Sequence, residues 1–115
     1  MKPLEVSDTV SPADKALLRD VKLAILRHQP KARILLYGSV ARGTSTRDSD
    51  YDVLVITPHR LSTKEEDTIY DAVYEVELAQ DAVVSVMLYS TQERSTPLVK
   101  ASPYYKNIVK ECLVV

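Results

Sequence analysis

At 115 residues, the chain has room for one hydrophobic core and not two, so the expectation is a single domain spanning residues 1–115. An apolar share of 45% with 27% charged residues excludes a disordered or fibrous chain, and no run approaches the ~20 apolar residues of a membrane span. A net charge of −1 argues against stable nucleic-acid binding, and one cysteine, Cys112, excludes an internal disulfide framework.

The N-terminal MKPLEVSDTV has no continuous apolar stretch of the signal-peptide kind, so a cytoplasmic address is expected. Charge is unevenly spread. Residues 15–47 carry eight Lys or Arg against one acid, Asp20, whereas residues 65–81 carry seven acids and no base. That asymmetry suits an anionic ligand on one side and a partner on the other, or simply a solvated acidic helix.

The first helix starts at Ser11, a candidate N-cap, with Pro12 at the first helical position and Asp14 in the first turn. Leu17, Leu18, Val21, Ala24 and Ile25, with Leu26 at the edge, make its apolar face, and Pro30 ends the element. ARILLYGS is a short apolar run stopped by glycine and reads as a buried strand. TSTRDSD is turn-rich, and YDVLVIT is a second strand halted by Pro58. Helical spacing returns from Ser62 to about Gln80, with Ser62 and Glu65 as a capping box. AVVSVMLYS is a third strand. STQERSTP then opens a short helix, and SPYYKNIVKECLVV, started by Ser102 and Pro103, is read as a last one. This order predicts an α/β (α+β) domain with a small mixed sheet and flanking helices.

The informative stretch is LLYGSVARGTSTRDSDYDVLVI, residues 35–56. On a strand, residues two apart share a face, so Asp50 and Asp52 stand about 7 Å apart at their bases. Two such carboxylates repel unless a cation lies between them, and hard oxygen ligands suit Mg²⁺ completed by substrate phosphate. Gly38 lets a phosphate chain approach the backbone, and Ser39-Val-Ala-Arg42 can begin a helix that Gly43 closes. Turn formation explains Asp48, Ser49 and Asp50 equally well, but not a carboxylate at Asp52 inside an apolar strand. Arg42 is either a phosphate contact or an exposed, salt-bridged side chain, and Arg47 reads as solvated. His28 and His59 read as surface residues and Cys112 as inert packing. Tyr70 and Tyr74, at i and i+4 of the acidic helix, read as core or interface.

Gly-Ser, ten residues, then Asp-x-Asp resembles the signature of the DNA polymerase β-like nucleotidyltransferase superfamily. GSVARGTSTRDSDYDVLV is similar to its minimal nucleotidyltransferase (MNT) branch. The resemblance implies a nucleotidyltransferase fold and transfer of a nucleoside monophosphate, AMP from ATP or another NTP, to a hydroxyl. It implies two Mg²⁺ ions on Asp50 and Asp52, phosphates on Gly38 and Ser39, and a small helical HEPN-type partner forming a toxin–antitoxin pair, modified on a tyrosine. A homo- or hetero-oligomer is compatible with it, and no membrane partner is expected.

Enzymes of the family carry a third acid on a neighbouring strand. Here that position aligns with Ser85. The nearest carboxylate is Asp81, expected at the start of the same strand with the parity of Val83 and Ser85, about 13 Å short of the place. Glu75 and Glu77 fall on the preceding helix. Three readings follow: Asp81 joins the metal site, two carboxylates suffice, or nucleotide is bound with little turnover. In the last case the chain would be a binding module that neutralises a helical partner by docking. An aminoglycoside-type small-molecule transferase is a further alternative, but those enzymes generally add a helical domain.

Overall fold

A computed structural model describes residues 2–46, 49–91, 106 and 110–115. The elements in order are β1 (Lys2–Pro3), a 3₁₀ turn (Leu4–Val6), α1 (Pro12–Leu26), β2 (Arg33–Tyr37), α2 (Gly38–Arg42), β3 (Tyr51–Thr57), α3 (Thr63–Gln80), β4 (Val84–Ser90) and β5 (Leu113–Val114). The strands form one mixed sheet in the order β1-β5-β2-β3-β4. β2 runs antiparallel to β3 and β5, whereas β3–α3–β4 is a parallel crossover unit.

Local chemistry explains the helix starts. Ser11 Oγ accepts from the Asp14 amide at 3.1 Å with Pro12 at the first helical position. Ser62 and Glu65 form the reciprocal capping box, at 3.2 and 3.0 Å. Leu17, Leu18, Val21, Ala24 and Ile25 are buried as the period requires, and Ile69 and Val73 are the buried residues of α3.

Strand alternation divides the apolar residues between the two faces of the sheet. Ile34, Leu36, Val53, Val55 and Val84 join α1 and α3 in the larger core. Leu35, Tyr37, Leu54 and Ile56 form a smaller cluster on the opposite face with Cys112, which is buried as expected for a packing residue. His28 and His59 are exposed. Among the described residues, no helix is long and apolar enough to cross a membrane.

Two expectations need correction. The chain does not end in helix: Leu113 and Val114 pair with β2 and β1, a two-residue strand too short to show a period. Nor does Asp81 lie on a strand. It is the C-cap of α3 with φ 50° and ψ 54°, and β4 begins only at Val84. Ser90 ends β4 and Thr91 is helical; Arg47, Asp48, the rest of the helix expected at STQERSTP, and the start at Ser102-Pro103, fall outside the described residues.

Candidate active site

Gly38 is where β2 turns into α2, and it has φ +80°, a conformation that side-chain-bearing residues rarely adopt. A Cβ there would overlap Asp52 Oδ2 and lie 3.1 Å from Asp52 Cγ. The absent side chain is therefore what allows the Asp52 carboxylate to lie against the turn. α2 carries Val40 and Ala41 into the core and ends at Gly43, left-handed with φ +77°. Thr9 donates to the Ala41 carbonyl at 2.8 Å, tying the N-terminal segment to the back of this turn.

Asp52 is the second residue of β3, paired with Tyr37 on one side and Ser85 on the other. It is only partly exposed, and its carboxyl is pushed above the usual range by burial first and by Asp50 second, with Arg42 pulling the other way. Asp50 is exposed just ahead of the strand, and Ser85 Oγ donates to Asp50 Oδ2 at 3.4 Å. Gly38, Asp50, Asp52 and Ser85 thus meet at one end of the sheet. Arg42 acts electrostatically on Asp52, while its guanidinium donates to Glu111 at 2.8 Å.

Asp81 is placed differently. It lines a cleft of about 550 Å³ together with Asp14, Ser49, Asp50, Tyr51, Gln80 and Val83. Asp50 is the only one of the expected site residues besides Asp81 among that lining. Glu77 accepts from the Val84 amide at 3.0 Å and stabilises the α3–β4 turn.

Tyr51 and Asp14 are contributors that the reading of the sequence overlooked. The Tyr51 hydroxyl donates to Asp14 Oδ1 at 2.5 Å, and burial followed by this bond pushes the phenol up to about 12. The signal was the parity of Tyr51. Standing between Asp50 and Asp52, it must point to the helical face, where the first turn of α1 lies.

As a donor set, the site offers two closely placed carboxylates, one of them partly desolvated, beside an open backbone turn. Oxygen donors whose negative charge is offset only in part by Arg42 fit a hard divalent cation. Among the described residues, no group of three or more His, Cys, Asp or Glu is arranged to hold a metal ion, so the set stops at two acids.

Comparisons with known proteins bear on the fold and the family. A crystal structure of a toxin–antitoxin with AMP-PNP superposes with TM-score 0.53 at 25% identity, covering 82% of this chain and 68% of that one. A tri-AMPylated Shewanella oneidensis HEPN toxin in complex with MNT antitoxin gives 0.53 at 18% identity, covering 87% and 69%. A mutant of the MntA-HpeT toxin–antitoxin gives 0.52 at 23%, covering 81% and 68%. The last two establish shared fold alone. No curated protein sequence matches. The nucleotidyltransferase domain model matches residues 18–115, which takes in β2, α2, β3, α3 and β4 but not Asp14 in the first turn of α1. The chain belongs to the nucleotidyltransferase domain family, and its chemistry is nucleotidyl transfer.

Proposed function

We propose that the chain moves AMP from ATP onto a hydroxyl of a small helical HEPN-type protein, as the cytoplasmic antitoxin of an MNT/HEPN toxin–antitoxin pair. The observation that carries this reading is the contact between Gly38 and Asp52. The phosphate-facing turn and the candidate metal ligand are built into one another, so a nucleotide held by the first is presented to the second.

In this reading Gly38 and Ser39 hold the β- and γ-phosphates, and Arg42 offers positive charge nearby. Asp50 and Asp52 would hold two Mg²⁺ ions, which when bound supply positive charge against the phosphates and the leaving pyrophosphate. The acceptor oxygen forms a bond to the α-phosphorus, the bond to the bridging oxygen breaks, and pyrophosphate leaves. With both carboxylates engaged as ligands, the hydroxyl proton leaves to solvent on the exposed side of Asp50. Most of the rate comes from positioning and charge stabilisation rather than from covalent chemistry. Asp81, on a helix cap rather than on β4, has no part in metal binding.

One observation favours a second reading, a nucleotide-binding module that acts by docking. Ser85, paired directly with Asp52, stands where the family's third acid is expected. Label transfer from α-labelled ATP to the partner decides between them. Transfer by the wild type and not by Asp52→Asn supports the enzyme. Intact nucleotide binding without transfer supports the docking module.

A further inference from the structure

α3 is packed on one side and bare on the other. Ile69 and Val73 are buried, yet Tyr70, Tyr74 and Leu78 are 43%, 57% and 66% exposed. At i, i+4 and i+8 these three side chains form one ridge about 12 Å long. Large apolar groups at this spacing are the pattern by which one helix packs against another.

The ridge is set in acid. Asp67, Asp71 and Glu75 are exposed beside it, and residues 65–81 contain seven acids and no base. Tyr70 feels this surrounding: its hydroxyl is raised by burial first and then by Glu66 and Asp67. Desolvating those carboxylates against a neutral or acidic partner would be unfavourable, so charge selects a basic one.

The ridge also leads somewhere. Beyond Leu78, Gln80, Asp81 and Val83 line the cleft that Asp50 and Tyr51 share, and Val83 is itself 56% exposed. The C-terminal end of α3, which follows Leu78, therefore forms part of the mouth of the candidate active site.

We propose that the Tyr70–Tyr74–Leu78 ridge is the docking surface for a basic helix of the acceptor protein, laid along α3 so that the acceptor is delivered at the Asp50 end. This rests on the reading that the acceptor is a protein. Tyr74 and Leu78 are the anchors, and the acids set orientation and encounter rate.

The test uses two synthetic 20-residue amphipathic helical peptides, identical in their leucine face, one with Lys and Arg on its flanks and one with Glu. Binding is followed by amide shift perturbation on the full chain, with Mg-AMP-PNP binding measured in the same samples. The proposal expects the basic peptide to bind, to perturb residues 67–83, and to weaken as salt is raised. It also expects Tyr74→Lys/Leu78→Lys to reduce peptide affinity at least about tenfold while nucleotide affinity is unchanged. Equal binding of the acidic peptide, perturbations elsewhere on the chain, or no binding would each overturn it. Asp52→Asn separates the two ideas: it should lose nucleotide and keep the peptide. Wild-type chain that binds the peptide but no nucleotide would sink the catalytic reading alone.

Discussion

Asp52 and Asp81 are both carboxylates near the same end of the sheet, and both have the spacing of a strand face in the sequence. The fold treats them differently. Asp52 is in register between Tyr37 and Ser85, held against Gly38 and partly desolvated. Asp81 caps a helix in a left-handed conformation, exposed, three residues before its strand begins. Parity along a sequence orients side chains only where the backbone is extended, so Asp81 inherits no direction from Ser85. A carboxylate held by register is fit to be a ligand; one at a cap ends a helix.

The largest effect that would break this contrast is at the turn. Gly38→Val forces a β-branched side chain to φ +80° and into the Asp52 carboxylate, so we expect a loss of about 3 kcal/mol or more in denaturant unfolding. Gly38→Ala should be less costly in an Asp52→Ala background than in the wild type, because only the overlap is relieved. Additive losses in that double-mutant cycle would show that Gly38 serves backbone geometry alone.

Asp52→Asn comes next. Mg-ATP affinity should fall by more than the ~10–100-fold that losing an outer-shell partner costs at metal sites. Stability should move the other way with pH. The folded-state pKa of Asp52 is raised, so its protonated form is favoured by folding. Its contribution is fully present below the unfolded value near 3.8 and is lost as pH rises through the higher folded value. The ligand-free wild type should therefore lose stability relative to Asp52→Asn as pH climbs through that window, as a series of thermal melts would reveal. Parallel stability curves would mean that the burial of Asp52 has no energetic weight.

Ser85→Asp should raise transfer by about tenfold, since it adds a carboxylate in register with Asp52 on the neighbouring strand. A drop instead would mean that a third negative charge beside Asp50 and Asp52 outweighs any gain as ligand or base. The smallest effect belongs to Asp81→Ala, which should change transfer by less than about twofold. Asp81→Gly should stabilise the chain by ~0.5–1 kcal/mol by relieving the left-handed strain. Abolished transfer in Asp81→Ala would place that carboxylate in the site after all.

Much of this was legible because the signals are local. Ser11-Pro12 and Ser62-x-x-Glu65 mark helix starts with side-chain chemistry that needs no tertiary partner. β2 and β3 were readable because each is an apolar run bounded by glycine or proline, and Gly38, Ser39, Asp50 and Asp52 stand on their mouths. β1 and β5 were not. Two residues each, they exist only because β5 is inserted between β1 and β2, pairing across 111 residues with β1 and 77 to 79 with β2. The Tyr51–Asp14 bond likewise joins residues 37 apart. The αL cap at Asp81 was hidden by the apolar run that follows it, which reads as one strand until the helix end is located.

The central claim is that Asp50 and Asp52 bind metal and nucleotide together at the Gly38 turn. Isothermal titration of Mg-AMP-PNP into the wild type and into Asp50→Asn/Asp52→Asn tests it most directly, with thermal melts of both chains to verify folding. The account predicts saturable, magnesium-dependent binding to the wild type and none detectable to the folded double variant. Unchanged affinity in that variant would contradict it.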